Sequence, residues 1–274
     1  FDRFTQFDGI AVRVRAHVAQ TIQNFAYAVR IARHHSANEM WRGRFLARQR
    51  PCRAAIPLPM LKLIIGNKAY SSWSLRGWLA CKQSGLPFEE VVVPLYDQDW
   101  DRRREGAEFA PSSGKVPILW DGDLVVWDSL AIIEHLADKV GRERFWPEDE
   151  AARGVARSMA AEMHSGFVDL RRNMPMDVTD KHPQEGRTPE SLADIARITQ
   201  IWRDAKARFG VDGPFLFGRF SAADAMYAPV CTRLDTYCVE LDEVSQAYVS
   251  TVLGLPAMRE WYAAGAAEPW GALL

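Results

Sequence analysis

Between residues 60 and 141, short apolar runs of strand length alternate with stretches of helical period, and from about Pro147 only the helical period remains. This switch restricts the chain to an α/β unit followed by an all-helical one. Leu61–Ile65 reads as a buried strand, Ser74–Ser84 as a helix stopped by Gly85, Glu89–Pro94 as a second strand and Gln98–Glu108 as a charged helical or irregular segment. Val116–Trp120 reads as a third strand, Asp121-Gly122-Asp123 as a hairpin turn, Leu124–Trp127 as a fourth strand and Ser129–Lys139 as a helix. A linker is expected over Gly141–Asp149. Beyond it, helices are predicted over Ala151–Leu170, Ser191–Phe209, Ala222–Leu234, Ser245–Leu253 and Pro256–Ala267.

The first 59 residues are different in kind. They hold ten Arg, no Lys and only three acids, a balance of +7, whereas the remainder carries −8. The main body therefore offers no electrostatic reason to bind nucleic acid. The Arg-rich stretch, with a short helix permitted over Val18–Ile31, fits an organelle-targeting segment, a basic nucleic-acid arm, or upstream sequence translated in error. The last is the favoured expectation, with the fold starting at Met60. No apolar run approaches the roughly 20 residues of a membrane-spanning helix; even Leu124–Leu136 is interrupted by Asp128 and Glu134. The four cysteines, Cys52, Cys81, Cys231 and Cys238, make no Cys-x-x-Cys pair and no metal-ligand spacing with histidine, so neither a metal site nor a disulfide frame is expected.

Three stretches carry chemistry. Tyr70-Ser71-Ser72-Trp73-Ser74-Leu75-Arg76 sets hydroxyls between a buried strand and a helix, where free N–H groups and the helix dipole favour an anion such as a thiolate; plain N-capping is the alternative. Lys115-Val116-Pro117 opens a strand with proline: a cis bond there would turn the Val116 backbone toward a peptide-like ligand, and a trans proline is the alternative. Asp128-Ser129, at a second strand-to-helix junction, suits the carboxylate and ammonium of an amino acid, or again a cap.

Taken in order, Ser71-Ser72-Trp73-Ser74-Leu75-Arg76, Lys115-Val116-Pro117 and Asp128–Leu136 resemble the glutathione-binding half of the glutathione S-transferase family, nearest its serine-using and zeta-like members. Phe217–Asp224 is similar to the family's capping box, with Ser221 and Asp224 structural rather than catalytic. The resemblance covers Met60 to Leu274. It implies a thioredoxin-like domain over 60–141 and an all-α domain over 150–274, preceded by the basic extension.

The resemblance further implies a transferase that takes glutathione as co-substrate without a metal, works as a cytoplasmic homodimer, and uses neither nucleic acid nor membrane. Ser71, with Ser72 as substitute, would donate to the glutathione sulfur. Val116 would pair with the cysteinyl part, Asp128 and Ser129 would hold the γ-glutamyl end, and Lys115 would assist a carboxylate. The second substrate is expected to be a small hydrophobic or anionic electrophile. His164, Phe167 and Arg171 are its candidate contacts, on the premise that they share one helix face. Trp73 stands where zeta-like members have cysteine, which argues against mixed-disulfide chemistry. The alternatives are a zeta-like glutathione-dependent isomerase and a non-catalytic interaction module of the same fold. A serine hydrolase is set aside for want of a Gly-x-Ser-x-Gly elbow and an evident histidine partner.

Overall fold

The computed structural model describes residues 60–270. The Arg-rich stretch and the Val18–Ile31 segment lie outside the described residues. From Met60 the chain runs β1 (Leu61–Ile65), α1 (Ser72–Ser84), β2 (Phe88–Val92), a short α2 (Trp100–Arg104), β3 (Ile118–Asp121), β4 (Leu124–Trp127) and α3 (Ser129–Val140). Helices follow: α4 (Glu150–Ser165), α5 (Val168–Asn173), α6 (Pro189–Phe209), α7 (Ala222–Thr236), α8 (Glu243–Leu253) and α9 (Pro256–Ala266). This is the thioredoxin-like sheet unit followed by a helical one. The sheet order is β2-β1-β3-β4, with β1 parallel to β2 and every other pair antiparallel.

The period-2 pattern of β1 explains the layering. Leu61, Leu63 and Ile65 face the main core shared with α1 and α3, while Ile64 faces a smaller cluster of Trp100, Phe109 and Ile118 on the other side. Both faces of the strand are therefore covered. α1 is buried on nearly every side because it also packs against α7, the central helix, in which every residue but Asp235 is buried. Trp78, Trp202 and Trp261 are fully buried in this core, so these three indoles are packing rather than platform.

Element ends differ from the sequence reading where capping chemistry lies upstream of the apolar period. α1 also starts two residues earlier than expected, at Ser72, although Ser71 makes no side-chain cap. α6 begins at Pro189 behind Thr188, whose hydroxyl accepts from Ser191 N at 3.2 Å. α8 begins at Glu243 behind Asp242, whose carboxylate accepts from Ser245 N at 3.0 Å. The single helix expected over Ala151–Leu170 is two helices. It breaks at Gly166 and at Phe167, whose φ of 57° lies in the left-handed region.

Two connections fix the sheet unit to the helices around the start of α1. Glu268 accepts from the Lys68 and Ala69 backbone at 2.6 and 3.2 Å. Val178 N donates to Ala69 O at 3.0 Å. The segment carrying Val178 is ordered by Asp177, whose carboxylate takes Thr179 and His182 at 2.6 and 2.8 Å. Burial pushes the Asp177 carboxyl up, but these hydrogen bonds outweigh it and hold the group below its usual range.

Candidate active site

The cleft of about 850 Å³ is lined by Tyr70–Trp73, by Ser112–Pro117, by Trp127–Ser129, and from the helical side by His164, Pro175 and Met176. Its volume suits a ligand of tripeptide size. Ser71 occupies the N-cap position of α1, yet its side chain makes no capping bond. Its hydroxyl instead donates to Ser74 Oγ at 2.8 Å. The capping alternative therefore does not account for this hydroxyl. Ser72 lines the same wall one residue on.

Tyr70 borders the cleft but has another use for its proton. Its hydroxyl donates to Asn67 Oδ1 at 2.8 Å, with Leu95 O at 3.2 Å. Burial, then the carboxylate of Glu268, pushes the phenol up to about 12. A phenol in this state is a poor activator of a thiol, which leaves the serines.

On the facing wall the sheet ladder ends at Ile118, so Val116 lies outside it and borders the cleft beside Lys115. The Val116–Pro117 peptide is cis. Pro117 is held against α1 at Gly77, where an added Cβ would lie 2.9 Å from Pro117 Cγ. At the start of α3, Asp128 does cap, accepting from Leu130 N at 2.9 Å. Its φ of 75° is unusual for a residue with a side chain, and such backbone strain concentrates at functional sites. Its second oxygen meets His164 Nε2 at 3.2 Å, a pairing across the two halves that the sequence reading missed. Ser129 Oγ is buried and has no hydrogen-bond partner among the described residues. A buried hydroxyl left in this way calls for a partner, which a ligand or a water in the cleft would supply.

The structure thus brings Ser71, Ser72, Lys115, Val116, Asp128, Ser129 and His164 to one cleft. It does not bring Phe167 and Arg171 there, and the shared face expected for His164, Phe167 and Arg171 is a correction. The helix break at Gly166–Phe167 turns the chain, so Phe167 is buried in the core. Arg171 Nη2 donates to the carbonyls of Met163 and His164, the latter at 3.0 Å, and so closes the end of α4 instead of facing the cleft. Sequence spacing also missed a stack around Trp73. The Arg76 and Arg171 guanidiniums lie 4.3 and 4.9 Å from its ring, and His164 meets it edge-on at 5.3 Å.

Comparison with known proteins gives the family. The family model described as Glutathione S-transferase, N-terminal domain, matches residues 70–139, and its C-terminal counterpart matches 185–264. Together they span more than half of the chain. The chain belongs to the glutathione S-transferase family. Among glutathione S-transferase relatives, GstB of Escherichia coli K12 is 28% identical over 51% of this chain and 67% of its own length. Maleylacetoacetate isomerase of Rattus norvegicus is 24% identical over 62% of this chain and 76% of its own. The solved theta-class glutathione S-transferase of Xanthomonas axonopodis pv. citri, with glutathione bound, aligns with a TM-score of 0.53 and 23% identity over 74% of this chain and 97% of that one. That likeness speaks for the glutathione S-transferase fold.

Proposed function

We propose that this chain is a glutathione transferase of the serine type, with residues 60–141 as the glutathione-binding domain and 150–274 as the helical domain. The observation that carries the reading is a buried Ser71 hydroxyl, free of capping duty at a helix N-terminus, in the same cleft as the orphaned Ser129 hydroxyl. Ser71 donates to the sulfur, and the positive end of α1 adds to the preference for a thiolate. Val116 pairs by its backbone with the cysteinyl part. Ser129 and Asp128 hold the γ-glutamyl end, and Lys115 assists a carboxylate. In the reaction the thiol proton passes to solvent, the sulfur bonds to an electrophilic carbon, and the leaving group departs with its electron pair.

Ser129→Ala tests the ligand directly. It should weaken glutathione binding about tenfold, the loss of one hydrogen bond to a charged group, and leave the pKa of the bound thiol unchanged. Calorimetric titration at millimolar glutathione measures both proteins. Absence of binding by the wild type at that concentration would move the assignment to a non-catalytic interaction module.

A glutathione-dependent isomerase is the second reading, favoured by the similarity to the rat maleylacetoacetate isomerase over most of the fold. There the sulfur adds to the substrate and is released again, so product without net consumption of glutathione distinguishes it. The electrophile is a small hydrophobic or anionic molecule entering beside His164 and Trp73. No helix among the described residues is long and apolar enough to cross a membrane; a cytoplasmic location is proposed on the family resemblance. A homodimer is proposed on the family resemblance. Light scattering should give twice the 31.0 kDa chain mass, and the single mass would reject it.

A further inference from the structure

A serine hydroxyl has one proton to give, and that of Ser71 lies toward Ser74 Oγ at 2.8 Å. Ser74 Oγ also accepts from the Gly66 backbone N–H at 2.9 Å. Ser74 is fully buried, and Ser71 nearly so. Gly66 directly follows β1, so its N–H is fixed by the sheet and pins one lone pair of Ser74 in place. What remains adjustable is the direction of the bond between the two hydroxyls.

We propose that Ser74 is a positioning residue for Ser71, holding it through a hydroxyl–hydroxyl bond that reverses direction when Ser71 turns its proton to the glutathione sulfur. The proposal rests on the glutathione reading above. With a thiolate present, Ser71 donates to sulfur, its oxygen becomes the acceptor, and Ser74 donates its own proton to that oxygen. Donation from Ser74 polarises the Ser71 hydroxyl and strengthens its own donation. The anchored Gly66 N–H keeps the Ser74 oxygen where this exchange needs it. Ser72, on the same wall, has no such partner among the described residues, which separates two serines that the sequence leaves equivalent.

The bare alternative is that Ser74 only ties β1 to α1 through Gly66. Titrating wild type, Ser74→Ala and Ser74→Thr with glutathione and with S-methylglutathione, which has no ionisable thiol, distinguishes them. Thiolate absorbance against pH gives the pKa of the bound thiol. The charged and titratable groups bordering the cleft (Tyr70, Tyr96, Lys115, Asp128 and His164) are common to all three proteins and cancel in the comparison. Ser74→Ala is expected to bind S-methylglutathione as the wild type does and to raise the bound thiol pKa by about half a unit to one unit, a roughly three- to tenfold fall in the acid dissociation constant of the bound thiol. Ser74→Thr should restore the wild-type value.

An unchanged or lower thiol pKa in Ser74→Ala overturns the proposal while leaving glutathione activation intact. Equal losses for both ligands, with the thiol pKa unmoved, also overturn it and leave Ser74 a structural tie. Should Ser74→Ala not fold, Ser74→Cys keeps an acceptor for Gly66 with only a weak donor, and the same rise is required of it. No binding of either ligand by the wild type overturns the glutathione reading and this inference with it.

Discussion

Replacing Ser71 by Ala should lower kcat by about 10- to 100-fold while changing KM for glutathione little. A free thiol with a pKa near 8.5 is only a few per cent ionised at neutral pH, and lowering it by about two units, roughly 2.7 kcal/mol, makes the thiolate predominant. A hydrogen bond to a charged group is worth about 1.5–3 kcal/mol, so one well-placed hydroxyl supplies most of that shift. Ser71 is so placed: it sits at the start of α1, is buried, and is anchored by Ser74 instead of capping its own helix. Ser72→Ala is the control and should lower kcat by less than about threefold, since it removes no donor to the sulfur. Steady-state kinetics with an activated aryl halide measures both. If the large loss falls on Ser72→Ala, the roles of the two serines are exchanged.

Asp224→Ala should cost stability rather than chemistry, and on a scale few single substitutions reach. The carboxylate accepts from Ser221 N at 2.7 Å, Ser221 Oγ at 2.8 Å, Tyr248 OH at 2.9 Å and Leu216 N at 3.4 Å. It opens α7, the helix around which the helical half packs. Truncation leaves several donors buried without a partner, each costing about 1–3 kcal/mol, for a total of about 3–5 kcal/mol. At about 2–4 °C per kcal/mol for a domain of this size, the melting temperature falls by on the order of 10 °C.

Thermal unfolding at several pH values adds a second check on Asp224. Burial raises its carboxyl from the usual 3.8 to about 6, against the opposing pull of its donors. A raised folded-state value means that this group's stabilisation is complete below pH 3.8 and is lost as pH rises through 6. The stability gap between wild type and Asp224→Ala should therefore be wider at pH 4 than at pH 7. A gap that widens toward neutrality would contradict the dominance of burial.

Ser221 and Asp224 were legible in the sequence because a capping box is a local device: both partners lie within one turn, and spacing alone brings them together. The strand-and-helix order was legible for the same reason, since periods of 2 and 3.6 are local properties. A residue's place in the candidate site was legible where its own helix end sets it, as at Ser71 and Ser129. It was not legible where the role depends on a partner distant in sequence. Nothing at His164 announces Asp128, and nothing at Arg171 announces that its side chain closes α4. The misplaced face of His164, Phe167 and Arg171 has one local cause. Gly166 permits a break that a continuous apolar period hides, and Phe167 enters the left-handed region, which residues with side chains seldom occupy.

The central claim is that this cleft ionises the glutathione thiol, and the most direct measurement is the pKa of that thiol when bound to the wild-type protein, read from thiolate absorbance across pH. The expected value lies about two units below that of the free thiol and returns toward about 8.5 in Ser71→Ala. Saturable binding with an unshifted thiol pKa would contradict the account, leaving a protein that holds glutathione without activating it.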